Sequence, residues 1–356
     1  MIAMDEPTRL THRVRGLLDR GEAITTDDAR ALLEMRDLTP FGPLSAPVRE
    51  RAHGRDAFFG VAEPLIWDGQ TPDELAEQLG MLPDDTVEIA LLVQSAGHIG
   101  SPSDWPEKLA ALASADRRIV IRVDAEVLLD GTSATLDELE VLIRDISAAV
   151  PFEIAPDRFA QDDPFFDRES IGATSPESWL LVAKAAHNVG LRTDAAIRYH
   201  SNSDLDAIVG HLEVVRSMIA TDEEGGFRRI VLLPYSDRAT SIGHEAPPTA
   251  TTTLRLAATV RMFLESIEHV VLPWRQLDGD LAAIGLSYGV DCIDPVPSTT
   301  LTGLAVASDG ELPVVSAQNE WLDLDRLESR IHEARYQPVP VDRFGTRFTL
   351  IDEPNG

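Results

Sequence analysis

The stretch from residue 184 to residue 206 reads "KAAHNVGLRTDAAIRYHSNSDLD", and it indicates the fold class. Its first part has the pattern of a helix that ends at Gly190, a residue typical of helix C-termini. The apolar run that follows ends in Arg198, Tyr199 and His200. Because strand side chains alternate, Arg198 and His200 must share one face of this strand and Tyr199 the other. The stretch therefore predicts a helix leading into a buried strand with polar residues at its far end.

The same alternation of helix and strand runs along most of the chain. Apolar runs typical of strands lie at 56–62, 87–95, 118–124, 151–155, 191–199, 228–235, 268–274 and 290–296. Helical patterns lie between them, at 71–79, 104–115, 135–149, 176–189, 203–222, 249–267 and 279–288. Such βα units predict parallel strands with right-handed crossovers. Eight units favour an α/β fold of the (β/α)8 TIM-barrel type, and a doubly wound sheet is the alternative.

The chain divides into an N-terminal helical extension, residues 1–52, and a barrel with a C-terminal tail, residues 53–356. In the extension, Thr25 and Thr26 are candidate N-caps, and acidic residues follow in the first helical turn. No internal repeat or long linker separates further domains.

The charge of the chain excludes one class of partner and predicts an environment. The net charge is −29, and Lys108 and Lys184 are its only lysines. Acid excess with little lysine is typical of proteins that stay soluble in concentrated salt, so a halophilic source is expected. Nucleic-acid binding is not expected, because it needs a basic surface.

No apolar run approaches the ~20 residues of a membrane-spanning helix. The first residues lack the basic start and apolar stretch of a signal peptide. We therefore expect no membrane association and a cytoplasmic location.

Cys292 is the single cysteine of the sequence. One thiol cannot form an internal disulfide. It also cannot supply the several thiolates of a cysteine-ligated zinc or iron–sulfur site, so no such site is expected from this chain alone.

A set of residues in and after the opening stretch matches a known family. The matching positions include Ala186, His187, Gly190, Thr193, Ala195, Tyr199, His211, Leu212, Arg216, Trp274, Tyr288 and Gly289. In these residues the chain resembles a branch of the radical S-adenosylmethionine enzymes: the deazaflavin (FO) synthase subunits and the aminofutalosine and dehypoxanthine-futalosine enzymes of menaquinone synthesis. The resemblance spans most of the chain and is strongest from 184 to 290. It implies a radical SAM-type barrel.

The departures from this family fall where its chemistry would lie. The family carries Cys-x3-Cys-x2-Cys after the first strand, and residues 57–75 contain no cysteine. His200, Ser201 and Ser203 stand where the resemblance expects glycine, histidine and glutamate. Without three thiolates the cluster has no anchor. No cofactor is therefore expected for this chain alone, and binding of S-adenosylmethionine is not predicted.

In a barrel, chemistry belongs at the carboxyl ends of the strands. The candidate ligand-binding residues there are Gln94, Asp124, Glu126, Arg198, Tyr199, His200, Trp274 and Gln276. Arg198 suits a carboxylate or phosphate, His200 a hydrogen-bond donor or general base, and Trp274 stacking on a flat heterocycle. Glu63 and Asp291 are expected at the same end. For each of these candidate residues a structural role is the alternative, either core packing or a place in a solvated polar rim. No catalytic residue is assigned.

Two functional hypotheses remain open. The first is a cluster-less relative of the deazaflavin and menaquinone enzymes, which binds a small aromatic or nucleoside ligand or accompanies a cluster-bearing paralogue. The alternative to a paralogue as partner is a second copy of the same chain, in a homodimer. The second is an enzyme with reassigned acid/base chemistry, hydrolytic or lyase-like, at Asp124, Glu126, Arg198 and His200.

Overall fold

The computed structural model gives the positions of the elements that make up most of the chain. It describes residues 5–60, 62–67, 71–80, 88–93, 104–112, 118–123, 125–129, 135–154, 176–221, 226–234, 248–273, 277, 279–294, 324–341 and 347.

Three helices precede the first strand, as the sequence predicts. They are α1 (Glu6–Asp19), α2 (Thr26–Glu34) and α3 (Phe41–His53). Thr25 is the N-cap of α2: its hydroxyl accepts a hydrogen bond from the backbone N–H of Asp28 at 3.1 Å, and the Asp28 carboxylate accepts from the N–H of Thr25. This capping box fixes the start of the helix. The division into 1–52 and 53–356 stays a prediction.

The strands of the described residues form two parallel sheets. They are β1 (Asp56–Gly60), β2 (Ala62–Trp67), β3 (Glu88–Val93), β4 (Arg118–Val123), β5 (Phe152–Ile154), β6 (Arg192–Tyr199), β7 (Gly226–Pro234), β8 (His269–Pro273), β9 (Cys292–Asp294) and β10 (Gln337–Val341). One sheet has the order β10-β1-β9-β8-β7-β6, and the other has the order β2-β3-β4-β5.

The strand order supports a barrel rather than a doubly wound sheet. Neighbours in each sheet are mostly consecutive in the chain, and β1 lies between β9 and β10, so the first strand adjoins the last two. Val61 alone separates β1 in one sheet from β2 in the other. At the other junction, β5 contacts β6. This circular succession of parallel strands is that of a (β/α)8 unit, and each of the eight predicted strands is confirmed.

Helices connect the strands and cover the outside of the sheets. They are α4 (Pro72–Gly80), α5 (Trp105–Leu112), α6 (Ala125–Leu129), α7 (Leu136–Ala149), α8 (Pro176–Asn188), α9 (Leu205–Thr221), α10 (Ala250–Phe263), α11 (Gly279–Gly285) with a 3-10 turn (Leu286–Tyr288), and α12 (Leu324–Glu333). None of the helices in these described segments combines the length and apolar character that a membrane crossing requires.

Alternate strand residues fall into two separate apolar clusters. The larger cluster joins strand residues such as Ala195 and Ile230 to helix residues such as Leu212 and Val260. The smaller contains strand residues alone: Phe58, Ala196, Val231, Leu233, Val271, Cys292, Val339 and Val341. We call these eight residues the inner cluster, because they point away from the helices. The period-two alternation of the strands thus separates an inner face from a helix-facing face.

The structure extends the sequence prediction in three places. The first strand, predicted to end at residue 62, continues as β2 to Trp67. The helix α6 follows directly on β4 where the sequence predicted a strand end. The C-terminal tail contains α12 and β10, and β10 lies at a sheet edge beside β1, where its prolines are tolerated.

Candidate functional site

The carboxyl end of β6 brings Arg198 and His200 to one face, as the alternation predicts. Ala196, two residues before Arg198, belongs to the inner cluster, so Arg198 follows it on the inner face, and His200, one residue beyond the end of β6, is expected on the same side. Arg198 is half-buried, and His200 is 4% exposed. The inner wall of β6 therefore passes from an apolar residue to a guanidinium and then to an imidazole.

A tight turn holds the imidazole of His200. Its backbone N–H donates to Ser203 Oγ at 2.8 Å, and the N–H of Asn202 donates to His200 Nδ1 at 3.1 Å. Since Nδ1 accepts this bond, the neutral ring carries its proton on Nε2. His200 is thereby arranged as a hydrogen-bond donor through Nε2, and Ser203 is a structural part of the turn.

Tyr199 lies on the opposite face of β6. Its side chain is 1% exposed and belongs to the helix-facing core. The hydroxyl donates to Thr253 Oγ1 of α10 at 2.9 Å, and burial raises the pKa of the phenol above its usual value. The structure therefore does not bring Tyr199 together with Arg198 and His200.

Arg122 is an inner-face residue that sequence reasoning missed. It is 2% exposed on β4, and its neighbours Ile121 and Val123 pack in the helix-facing core. Alternation therefore directs Arg122 inward. The signal was available in "RIVIRVD", where an arginine interrupts an apolar strand two residues before its predicted end. The inner wall thus carries guanidinium groups from both β4 and β6.

A buried ion pair occupies the amino half of β6. Arg229 on β7 is opposite Asp194 in the strand register, and its Nε lies 2.9 Å from each carboxylate oxygen. The two residues are 4% and 3% exposed. The two charges of this pair neutralise each other, and the pair lies four residues before Arg198, nearer the amino end of β6.

Other predicted site residues cannot be placed beside His200. Gln94, Asp124, Trp274 and Gln276 lie outside the described residues. Glu126 lies in α6, whose backbone is described but not this side chain. Glu63 is the second residue of β2, within the strand and not at its carboxyl end, so its predicted placement is wrong.

Asp291 was also predicted at the carboxyl end, and that placement is wrong. The strand β9 begins at Cys292, so Asp291 enters the strand at its amino end. It is fully buried there and pairs with Arg261 of α10. The opposing effects of burial, which raises its pKa, and of Arg261 and His269, which lower it, leave the Asp291 pKa at about 2.

His187 and His211 both lie in the helical layer. His187 Nε2 is 2.8 Å from Thr193 Oγ1, and its ring meets Phe227 edge to face. His211 packs beside Trp179, and burial lowers its pKa to about 4. These contacts assign both histidines to packing within the helical layer.

Curated proteins with similar sequences come from the enzyme groups named above. The chain is 29% identical over 124 residues to aminodeoxyfutalosine synthase from Thermus thermophilus, a match that covers 34% of this chain and 33% of that enzyme. It is 26% identical over 182 residues to cyclic dehypoxanthine futalosine synthase from Streptomyces coelicolor, covering 51% and 42%. It is 32% identical over 111 residues to FO synthase from Nocardia farcinica, covering 30% and 13%. The matches thus span less than half the length of these relatives. No model of a known protein family matches the chain.

Solved structures support the fold over nearly the whole chain. Methylornithine synthase superposes with a TM-score of 0.62 at 12% identity, covering 92% of this chain and 97% of that one. The FeFe-hydrogenase maturase HydG from Carboxydothermus hydrogenoformans gives 0.66 at 12% identity, covering 96% and 82%. The predicted radical SAM-type α/β barrel is confirmed.

The residues present do not fit the iron–sulfur cluster of that fold family. The strand β2 ends at Trp67 and α4 begins at Pro72, so only residues 68–71, "DGQT", connect them. A Cys-x3-Cys-x2-Cys motif is longer than this connection. Cys292 is 1% exposed within the inner cluster on β9, far along the chain from this connection. The chain has no set of three thiolates for a cluster.

Proposed function

We propose, because the chain is a relative of the futalosine and deazaflavin enzymes, that it serves deazaflavin or menaquinone biosynthesis without a cluster of its own. In this proposal it binds a small aromatic or nucleoside ligand at the carboxyl end of the barrel. It acts alone, as a homodimer, or beside a cluster-bearing paralogue.

One contrast carries the proposal. The barrel scaffold superposes on radical SAM-type enzymes over more than nine tenths of the chain. The connection after the first strand, by comparison, is four residues long and contains no cysteine. A retained barrel with a shortened connection is expected of a protein that keeps a binding cavity and has lost radical chemistry.

The inner face offers a specific set of contacts to such a ligand. Arg198 presents a guanidinium, which binds carboxylates and phosphates through paired hydrogen bonds. His200 donates through Nε2, since its Nδ1 accepts the Asn202 N–H. Arg122 adds positive charge on β4. A ligand with a flat ring and a carboxylate or several hydroxyl groups satisfies all three.

Binding titrations test this assignment. Curated relatives are named for acting on 5-amino-6-(D-ribitylamino)uracil with L-tyrosine, and these two compounds are direct probes. Isothermal titration of the full chain should detect binding of at least one. R198Q and H200Q should each weaken that binding at least tenfold.

The matched control for these variants is R144Q, on an exposed position of α7. Like R198Q, it removes one guanidinium, but it leaves the inner face unaltered. It should therefore leave the affinity for the probe unchanged. If neither probe binds, or if R198Q and H200Q bind as R144Q does, the ligand assignment is wrong.

The alternative of acid/base catalysis has one observation against it. A general base needs a free lone pair, and the bond from Asn202 occupies Nδ1 of His200. The ring therefore serves better as a donor than as a base. A bell-shaped pH–rate profile for hydrolysis or elimination, abolished by H200Q, would favour the alternative.

A further inference from the structure

Three side chains with metal-ligating atoms converge at the amino end of the barrel, away from Arg198 and His200. His53 is the last residue of α3, His269 is the first residue of β8, and Asp291 immediately precedes β9. One nitrogen or oxygen from each lies within 4.8 Å of the others. We propose that this group, the His-His-Asp cluster, binds one divalent transition-metal ion such as Zn²⁺.

The separations are close to those of a tetrahedral metal site. His53 Nε2 lies 3.3 Å from Asp291 Oδ2, and His269 Nδ1 lies 2.5 Å from the same oxygen. Zinc bonds of ~2.0–2.1 Å in tetrahedral geometry separate ligand atoms by roughly 3.3 Å. One of the two distances already fits. A movement of under about 1 Å by the His269 ring would bring the other into range.

The groups behind the ligands are those that orient ligands in metal sites. Glu268 Oε1 lies 3.4 Å from His269 Nε2, the ring nitrogen that faces away from the cluster. Asp291 Oδ1 accepts from the N–H of Val270 at 2.8 Å and from Arg261. Metal-ligating histidines commonly have a carboxylate on their second nitrogen, and ligating carboxylates are themselves hydrogen-bonded. Asp291 Oδ2 is thereby directed at both imidazoles.

The surroundings of the cluster include a backbone carbonyl, two aromatic contacts and a route for entry. The backbone carbonyl oxygen of Glu268 accepts a hydrogen bond from His53 Nε2 at 2.6 Å, and a bound metal ion would replace the proton of this bond. The two imidazoles stack at 5.0 Å, and the ring of Phe58 packs edge-on against both. The His53 side chain is 12% exposed, so solvent reaches the cluster at that residue.

The donor set selects the class of ion. Two imidazole nitrogens and one carboxylate suit zinc, iron(II), cobalt or nickel, whereas magnesium and calcium prefer all-oxygen sites. The cluster lies at the end of the barrel where the fold is held together, which assigns the ion a structural role that ties α3 to β8 and β9.

Zinc binding by the full chain, first stripped with a chelator, tests the proposal. One Zn²⁺ per chain should be retained after dialysis, as measured by inductively coupled plasma mass spectrometry, and Mg²⁺ should not compete. Co²⁺ should give the visible absorption of a four-coordinate ion. H53Q and E268Q should each weaken zinc binding at least tenfold, the second because it alters the partner of His269.

The control is H332Q, on an exposed position of α12, which should bind zinc like the wild type. Circular dichroism establishes that H53Q, whose side chain lies at the edge of the cluster, remains folded. If no zinc is retained, or if H53Q and E268Q bind it like H332Q, the cluster is a hydrogen-bonded network only. The result is independent of ligand binding at the opposite end of the barrel.

Discussion

The two ends of the barrel use buried charge differently. At the amino end, Arg49, Arg261 and Asp291 are fully buried, and their charged groups have hydrogen-bond partners in strands and connections. At the carboxyl end of β6, Arg198 is half-buried and His200 is held by a turn of four residues. The amino end thus holds the fold together, whereas we propose that the carboxyl end presents donors toward the inner space. In barrels of this type, stability and function commonly separate in this way.

The amino end is joined by residues far apart in sequence. Arg49 of α3 donates to the carbonyl oxygens of Val290, Gly54 and Asp56 at 2.9, 2.8 and 2.5 Å. Its guanidinium also lies 4.1 Å from the ring centre of Tyr336. One side chain therefore connects the helical extension with β1, β9 and the segment before β10. Changes at this end should lower stability, and changes at the carboxyl end should lower binding.

The largest expected effect comes from Arg261→Met. The side chain is fully buried, donates to Gly289 and Ile267, and pairs with Asp291. Its removal leaves a buried carboxylate without its cation, which should cost about 3–5 kcal/mol of unfolding free energy. Urea denaturation measures the loss. The exposed pair of Arg30 and Asp206 gives the control, since Arg30→Met should cost less than about 1 kcal/mol. Equal losses of unfolding free energy in the two variants would show that the buried pair contributes no more to stability than the exposed pair.

The second effect is a loss of stability in mild acid from His211, in the helical layer between the two ends. Its folded pKa of about 4, set by burial, lies below the unfolded value of about 6.5. The unfolded chain therefore gains a proton first as the pH falls. The native state should lose about 2 kcal/mol between pH 7 and pH 5, and about 3 kcal/mol in all.

Urea denaturation at both pH values, compared with H211Q, isolates this contribution. H211Q should be less dependent on pH by that amount, and H332Q, at an exposed histidine, should behave like the wild type. An unchanged pH dependence in H211Q would show that folding does not lower the pKa of His211.

A smaller effect at the amino end is expected from Gly289→Ala. Gly289 has a φ of +90°, and a Cβ added there would lie 2.7 Å from the Cβ of Arg261. Gly190 has a similar φ of +82°, but an added Cβ would meet no atom within 4 Å. Gly190→Ala should cost about 1 kcal/mol from backbone strain alone. Gly289→Ala should cost about 2 kcal/mol or more, because the contact adds to the strain. Thermal unfolding of both variants measures the two losses. Equal losses would show that the contact with Arg261 adds nothing to the cost of Gly289→Ala.

The smallest expected change in stability is that of Arg198→Gln, at the carboxyl end. Arg198 is half-buried and lies near solvent, so its loss should change the unfolding free energy by less than about 1 kcal/mol. The same variant should bind ligand at least tenfold more weakly. A loss of stability as large as that of Arg261→Met would make Arg198 part of the framework, and the two ends would no longer differ.

Local patterns were sufficient to predict the strands and their two faces. The shared face of Arg198 and His200 follows from alternation alone, and Gly190 marked the end of α8. The amino-end network could not be predicted in the same way. Arg49 and Val290 are 241 residues apart, and their contact depends on α3 reaching the start of β9.

Strand boundaries limited the prediction of the site. Asp291 is the second residue of the predicted strand 290–296, so its expected placement at the carboxyl end disagreed with that strand's own bounds, and the structure puts it just before β9. Arg122 was not predicted as a site residue, because the acidic residues Asp124 and Glu126 that follow it were chosen as candidates instead. The segment containing β10 has alternating prolines, which disfavour a strand except at a sheet edge.

Anaerobic reconstitution with iron and sulfide tests the central claim most directly. Iron and acid-labile sulfide are measured per chain, and EPR spectra are recorded after reduction. A chain without cluster ligands should retain no sulfide and show no cluster signal, and any iron at the His-His-Asp cluster should not exceed one ion per chain. About four irons and four sulfides per chain, with the EPR signal of a reduced cubane, would contradict the account.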